Sequence, residues 1–218
     1  MLPSMSDAAT PRKRGPQALA ARNDQALIEA AREVFTTQGF DAPVSAVAAR
    51  AGVGMGSLYR RYRTKEELLQ RLCADSMERV AAAAEDGLAY EDPWEGFAHY
   101  VRECVAFGFG VLAPLAGAIE VTPGMRRTNE RAQELADELV ARAHQAGVLR
   151  PDVTTMDVSL LIGQFGRPAP APSWQAGEEV RGRLLAIALD GLKAHDHLGP
   201  LPGNPPDLRR YQALWGAR

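Results

Sequence analysis

Apolar residues recur at intervals of three and four positions along most of this chain, with polar residues between them. Over residues 24–38 they form one continuous face, made of Leu27, Ala30, Ala31, Val34 and Phe35. This spacing is typical of an amphipathic α-helix that packs one side on a core. Two shorter helical runs follow, over residues 44–51 and 55–62. The first third of the chain is therefore predicted to be three packed helices.

The same spacing predicts longer helices in the rest of the chain. We expect them over residues 64–87, 94–112, 125–146, 157–165 and 177–195, with a short segment between residues 114 and 124. Thr64 and Glu67 have the spacing of a capping box, which marks the start of the fourth helix. Proline and glycine clusters separate the other helices, because they interrupt helical hydrogen bonding. The pattern predicts an all-α protein of about nine helices.

The turn between the second and third helices has a specific form. Gly52, Val53 and Gly54 separate two short helical runs, which is the arrangement of a helix-turn-helix unit. The second helix of such a unit lies in the major groove of DNA. A solvated basic surface is the alternative explanation of its arginines. The turn, the aromatic residue in the helix and the local charge together favour DNA binding.

Charge is unevenly distributed, although the whole chain has a formal net charge of only −2. Residues 1–65 contain ten Lys and Arg against five Asp and Glu, and the remainder contains 15 against 22. Such asymmetry indicates that the N-terminal third meets a polyanion. Residues 1–21 are predicted to be a disordered arm whose basic cluster reaches the minor groove or the phosphates. A solvated tail that only aids solubility is the alternative.

The candidate DNA contacts combine residue types that suit phosphates and base edges. Arginine offers bidentate donors to phosphate or guanine, and serine and tyrosine hydroxyls bond to either. Lys65 begins the next helix, where free N–H groups favour phosphate. Met55 and Gly56 allow contact with a thymine methyl and close backbone approach. The predicted contacts are Arg12, Lys13, Arg14, Val44, Ser45, Met55, Gly56, Ser57, Tyr59, Arg60, Arg61 and Lys65.

Other classes of function find little support in the sequence. Cys73 and Cys104 have no spacing pattern with each other or with histidine, so we expect neither a disulfide nor a metal site. No nucleophile elbow, phosphate loop or dinucleotide fingerprint occurs, so we expect no enzyme, no catalytic residue and no cofactor. The N-terminus lacks the apolar stretch of a signal peptide, and no run is long enough to cross a membrane. We expect a cytoplasmic protein without a membrane partner.

A set of fixed spacings runs through residues 27–69. In chain order it comprises Ala30-Ala31 with Phe35, Gly39, Val47-Ala48 with Ala51-Gly52-Val53, Gly56-Ser57-Leu58-Tyr59 with Tyr62, and Thr64-Lys65-Glu66-Glu67-Leu68. This set resembles the N-terminal domain of the TetR family of bacterial transcriptional regulators, and several fixed spacings together make the signal specific. Two positions depart from the pattern: Gly54, where many members carry a capping serine, and Met55, where many carry a polar or basic residue.

The resemblance implies a second domain that forms dimers and binds a small molecule. Dimers read helix-turn-helix operators, and in this family the last two helices form a four-helix contact between protomers. The predicted dimer interface comprises Val158, Leu161, Ile162, Phe165, Leu185, Leu189 and Leu192. The predicted pocket comprises Trp94, Phe97, Phe107, Leu112, Glu120, Met125, Gln164, Phe165 and Trp174. Ordinary helical core is the alternative for each pocket residue.

We therefore expect four regions: a disordered basic arm (1–21), a helix-turn-helix domain (22–66), a helical ligand-binding and dimerisation domain (67–197) and a C-terminal tail (198–218). The predicted function is that of a homodimeric repressor that binds a palindromic operator in double-stranded DNA. A small-molecule effector would release it. The alternative is a helical carrier or sensor of hydrophobic small molecules with little DNA specificity.

Overall fold

Eight helices make up the described part of the protein. The computed structural model describes residues 16–110, 112, 119–166, 174–196 and 199–207. Its helices are α1 (Pro16–Gln38), α2 (Val44–Ala51), α3 (Met55–Arg61), α4 (Lys65–Leu88), α5 (Pro93–Ala106), α6 (Pro123–Gln145), α7 (Thr155–Phe165) and α8 (Trp174–Leu192). None of the described residues belongs to a β-strand beyond one isolated bridge, between Leu149 and Lys193. The predicted all-α fold is confirmed, with eight helices instead of about nine.

The helices α1–α3, which we call the head, pack around one apolar cluster together with the first half of α4. Ile28, Phe35 and Leu58 are among its fully buried side chains. α2 ends at Gly52, whose φ of 68° lies in the left-handed region that glycine adopts without a steric penalty. Val53 follows and packs against the same cluster. The glycine turn therefore sets the angle between α2 and α3, as the sequence predicts.

α1 begins at Pro16, well before the predicted start at residue 24. Proline is favoured in the first turn of a helix, and the alanine, leucine and arginine residues that follow have high helix propensity. Residues 16–21 of the predicted disordered arm are therefore helical. The predicted contacts Arg12, Lys13 and Arg14 lie outside the described residues.

α4 connects the head to the helices α5–α8, which we call the body. The hydroxyl oxygen of Thr64 accepts a hydrogen bond from the N–H of Glu67 at 3.1 Å, so the predicted N-cap is present. The carboxylate of Glu67 accepts from the N–H of Arg63 at 2.6 Å instead of closing the box on Thr64. The first half of α4 packs in the head cluster, and the second half packs in a separate body cluster. This helix, of about 36 Å by its rise per residue, is therefore part of both cores.

The body cluster is built from α4, α5, α6, α7 and α8, with Phe97, Leu139 and Ile162 among its fully buried side chains. α5 ends at Ala106 and does not continue to residue 112, because Gly108 adopts a φ of 73° that stops the helix. The predicted short segment between residues 114 and 124 falls mostly outside the described residues. None of the helices in the described ranges is long and apolar enough to cross a membrane.

The backbones of α4 and α5 come into direct contact where they cross. A Cβ atom added at Gly96 would lie 2.2 Å from the carbonyl oxygen of Gly87, and one added at Gly87 would lie 2.7 Å from that of Gly96. Side chains at these positions would force the helices apart. The paired glycines therefore fix the distance between the helix shared with the head and the first helix of the body.

We expect Gly96→Ala to lower the free energy of unfolding by about 1–3 kcal/mol, because overpacking a close contact displaces backbone. Urea denaturation of the purified protein measures this change. Gly182→Ala on α8 is the matched control, since a Cβ there meets nothing within 4 Å. That variant should be neutral or slightly more stable, because alanine favours helix over glycine. Equal denaturation midpoints for the two variants would contradict the close crossing.

Candidate nucleic-acid interface

α3 is anchored by one side and exposes the other. Leu58 is fully buried in the head cluster and Tyr62 nearly so. On the opposite side the large side chains of Met55 and Tyr59 are 36% and 46% exposed, and Arg60 is exposed beside them. Gly56 is also exposed, and Ser57 is half-buried. The short helix therefore presents an outward face that carries aromatic, apolar and cationic groups together.

The two adjacent arginines of α3 differ in their surroundings. The Nε of Arg61 donates to Asp24 at 2.7 Å, and the hydroxyl of Tyr62 donates to the same carboxylate oxygen at 2.5 Å. The hydrogen bond from Arg61 lowers the pKa of Asp24, and burial raises the pKa of Tyr62. Arg60 makes no hydrogen bond or ion pair with any described residue. Arg61 is thus held against α1, whereas Arg60 projects freely from the head.

The remaining predicted contacts lie around α3. Ser45 is exposed in the first turn of α2, and Val44 beside it is half-buried against the head cluster. The ammonium of Lys65 donates to the carbonyl of Ala42 at 2.9 Å and lies 5.6 Å from the centre of the Phe35 ring. Lys65 therefore ties the start of α4 to the loop before α2, and two of its three N–H donors stay available.

A small cavity of about 40 Å³ lies between α4, α5, α6 and α7. It is lined by apolar residues and by uncharged polar ones: Met77, Val80, Tyr100, Phe109, Asn129, Ala132, Gln133, Ala136, Ser159 and Ile162. Ligand pockets typically have volumes of about 300–1,000 Å³. This cavity therefore needs its lining to move before it can admit a small organic molecule.

Five predicted pocket residues lie elsewhere in the described structure. Leu112 and Met125 are buried in the head cluster, where they attach the body to the head. Glu120 is exposed, and its N–H donates to the carboxylate of Glu66. Phe97 is fully buried in the body core. Phe107 lies at the end of α5, beside the cavity wall but not lining it.

The other predicted pocket residues do not line this cavity either, although Trp94 lines a more open one of about 260 Å³ beside α8, so the predicted ligand pocket stays a prediction. Trp94 is half-buried beneath the ammonium of Lys193, which lies 5.2 Å from the centre of its ring. Gln164 is exposed, and Phe165 is half-buried against the body core. Trp174 begins α8, but its side chain lies outside the described residues. Helical periodicity identified apolar and aromatic positions, but it carries no signal for which of them surround a void.

α8 has two apolar faces, as the sequence predicts, and the structure assigns them. Leu185 and Leu189, predicted at the dimer interface, are only 8% and 4% exposed and pack in the protomer's own core. The opposite face is an apolar stripe at helical spacing, with Val180 51%, Leu184 49% and Ile187 60% exposed. Leu185 and Leu189 therefore expose little surface to a partner. The stripe of Val180, Leu184 and Ile187 is the candidate interface on this helix.

The predicted interface residues of α7 also face inward. Val158 and Ile162 are buried in the body core. Leu161, and Leu192 at the end of α8, are half-buried against the same core. The physical reason holds for both helices. Helical spacing shows that these residues share one side of their helix, but the packing of neighbouring helices decides whether that side faces the protomer's core or a partner.

The fold and the exposed α3 define a helix-turn-helix DNA-binding protein with a helical second domain, and known proteins share both parts. Residues 27–72 match the family model described as bacterial regulatory proteins, tetR family, and residues 92–194 match the one described as transcriptional regulator SbtR-like, C-terminal domain. The chain is 35% identical over 185 residues to the HTH-type transcriptional regulator SrpR of Pseudomonas putida, covering 79% of this chain and 76% of that protein. It is 28% identical over 155 residues to UidR of Escherichia coli K12, covering 62% and 74%.

A solved structure supports the same assignment. The TetR transcription regulatory protein from Mycobacterium vanbaalenii is similar to this chain with a TM-score of 0.59 and 28% identity, over 83% of this chain and 100% of that one. The chain belongs to the TetR family of bacterial transcriptional regulators, and it is a DNA-binding transcriptional regulator. The resemblance predicted from the sequence is confirmed.

We expect the acid stability of the head to depend on Asp24. Its folded-state pKa lies below the ordinary 3.8, chiefly through the hydrogen bond from Arg61. A carboxylate of this kind contributes stability above its unfolded pKa, and that contribution is lost as the pH falls through its folded pKa. The free energy of unfolding should therefore fall below about pH 4. Asp24→Asn should be less stable at neutral pH and should show a flatter acid limb.

Urea denaturation between neutral pH and pH 3 measures these profiles. Asp41→Asn is the control, because Asp41 is exposed in the head and makes no hydrogen bond or ion pair with the described residues. It should leave the profile close to that of the native protein. An acid limb of the same steepness in Asp24→Asn would show that the contact with Arg61 and Tyr62 does not stabilise the fold.

Proposed function

We propose that the protein is a homodimeric repressor, which binds a palindromic operator in double-stranded DNA and is released by a small molecule bound in the body. The exposed face of α3, with Arg60 projecting unpaired beside Tyr59 and Met55, is the observation that carries this proposal. Its place of action would be the cytoplasm, where the DNA is. A carrier of hydrophobic molecules would have no need of such a face.

The DNA contacts we propose use the side-chain hydrogen-bond donors of the head that are available to DNA. Arg60 retains its full set of guanidinium donors, which suit a phosphate or the edge of guanine. Asp24 holds Arg61 in one orientation, so Arg61 would contact the backbone from a fixed position. Ser45 at the start of α2 and the remaining N–H donors of Lys65 would bind phosphates on either side of the groove. The basic cluster at residues 12–14 would add electrostatic attraction.

We expect Arg60→Ala to weaken binding to the operator by at least about fivefold, because it removes a contact to phosphate or base from each head. The dependence of affinity on salt should also become shallower, since fewer counterions are released. Fluorescence anisotropy with DNA from upstream of the protein's own gene measures both. Arg127→Ala is the matched control, which removes the same charge from an exposed position on α6.

Two outcomes would contradict this proposal at different levels. If the native protein shows no sequence-specific, salt-dependent binding to any candidate operator, it is not a repressor of this kind. If the native protein binds but Arg60→Ala and Arg127→Ala bind equally well, then α3 does not make the proposed contact.

The dimer we propose is supported by the apolar stripe of α8. Val180, Leu184 and Ile187 are half or more exposed although all three are large and apolar. A contiguous exposed apolar surface is a frequent mark of a protein interface. A two-fold dimer would bury the stripe of each protomer against the other, since an isologous contact uses the same patch twice. A two-fold dimer also presents two heads, one for each half of a palindromic operator.

We expect Ile187→Glu to convert the dimer into a monomer, because a buried charge without a partner opposes association. Sedimentation velocity measures the oligomeric state, and operator affinity should fall with it because a single head makes too few contacts. Ala186→Glu is the matched control, since Ala186 is exposed on a different side of α8. A dimer that persists in Ile187→Glu would exclude this stripe as the interface.

The effector site we propose is the cavity between α4, α5, α6 and α7. Its lining is apolar apart from the amides of Asn129 and Gln133 and the hydroxyl groups of Ser159 and Tyr100. The lining offers a charged ligand no charged partner. The lining therefore favours an uncharged, mainly apolar effector that accepts or donates a few hydrogen bonds.

A further inference from the structure

We propose that Phe107 couples the cavity to the DNA-binding head. Its ring binds Arg32 and Arg79 through cation–π contacts, and these contacts are lost when an effector fills the cavity. We call Phe107 with Arg32 and Arg79 the Phe107 clasp. The proposal rests on the function proposed above and adds the regulation of that site.

The clasp brings three helices together around one ring. The guanidinium carbon of Arg32, on α1, lies 5.9 Å from the centre of the Phe107 ring, and that of Arg79, on α4, lies at the same distance. A guanidinium within about 6 Å of an aromatic ring is attracted to it, and more strongly where water is excluded. Phe107 immediately follows α5, so a residue of the body makes a direct contact with the first helix of the head.

Arg32 is buried, whereas Arg79 is partly exposed and also pairs with Glu29 of α1, so the contact with the ring matters most to Arg32. Arg32 donates to Asp75 and to Ser76, each at 2.8 Å, and Arg79 donates to Asp75 at 2.9 Å. The Nε of Arg32 is nevertheless buried without a hydrogen-bond partner among the described residues. Burial lowers the pKa of both arginines. Loss of the ring would therefore remove one of the contacts that stabilise the buried charge of Arg32. The hydrogen bonds from Arg32 to Asp75 and Ser76 of α4 would become weaker.

Phe109 connects the clasp to the cavity. Its side chain lines the cavity, and its ring packs edge-on against Phe107, with centres 6.4 Å apart and planes at 83°. The backbone next to Phe109 is closely packed on α7, because a Cβ at Gly110 would lie 2.2 Å from the carbonyl oxygen of Gly163. A displacement of Phe109 would therefore press on the Phe107 ring that it contacts.

The cavity is so small that a bound ligand would have to displace its lining residues. At about 40 Å³ it cannot hold an organic ligand without moving its walls. Phe109 is the one aromatic lining residue outside the α-helices, in a short 3₁₀ turn, whereas Tyr100 is held within α5. The ligand would push Phe109, the clasp would open, and α1 would become free to shift on α4. Such coupling between two sites typically changes affinity by about 5–150-fold.

A double-mutant cycle tests the clasp without any knowledge of the effector. Ala136→Leu places an extra side chain in the cavity as a substitute ligand, and Phe107→Leu removes the aromatic face but keeps an apolar residue. We expect each to weaken operator binding by at least about fivefold. The double variant should bind the operator no more weakly than either single variant. Both substitutions disrupt the same contacts between Phe107 and the arginines, so their effects should not add. Ala141→Leu, on an exposed position of α6, is the matched control and should have no effect.

The outcomes separate the clasp from the function on which it rests. If the native protein binds its operator but the two substitutions act additively, the clasp is excluded and the repressor proposal stands. If the native protein binds no operator, the repressor proposal itself fails. Circular dichroism checks folding of Ala136→Leu. If that variant does not fold, hydrogen exchange decides: amides of α1 around Arg32 should exchange faster in Phe107→Leu than in the native protein, and equal rates would overturn the proposal.

Discussion

The buried contact of Arg32 with Asp75 and Ser76 is the interaction on which the relation between head and body depends. A buried ion pair adds little net stability, because desolvation offsets much of the Coulomb attraction. The buried pair nevertheless constrains the geometry, because removing or displacing Asp75 would leave the charge of Arg32 buried without a carboxylate partner. Arg32 belongs to α1 and its partners to α4, so the pair sets how the head sits on the helix that both cores share.

The rest of the molecule uses that shared helix in two ways. Its first half is packed among head residues, and Leu112 and Met125 from the body join the same cluster. Its second half is held at van der Waals contact with α5 through Gly87 and Gly96. The head is therefore not an independent unit on a flexible tether. The head and the body are therefore joined by packed elements that a coupling between them can use.

The features that could be predicted from the sequence are the local ones. The face from Leu27 to Phe35, the turn at Gly52 and the cap at Thr64 each depend on a few neighbouring residues, and each is present in the structure. The pairing of Arg61 with Asp24 could not be predicted, because the two residues are far apart in sequence and nothing in their types distinguishes Arg61 from Arg60. The clasp around Phe107 was missed for the same reason: three residues from three parts of the chain meet only in the folded protein.

The sequence by itself determined the all-α class, the helix-turn-helix and the family. It also determined that α8 would have apolar residues on two sides. Only the tertiary structure decided which of these sides faces the protomer's core, with Leu185 and Leu189 inward and Val180, Leu184 and Ile187 outward. The reason is that helical periodicity relates residues to their own helix axis. Rotation of the helix against its neighbours, and with it the division between core, cavity and interface, is set by packing between distant segments.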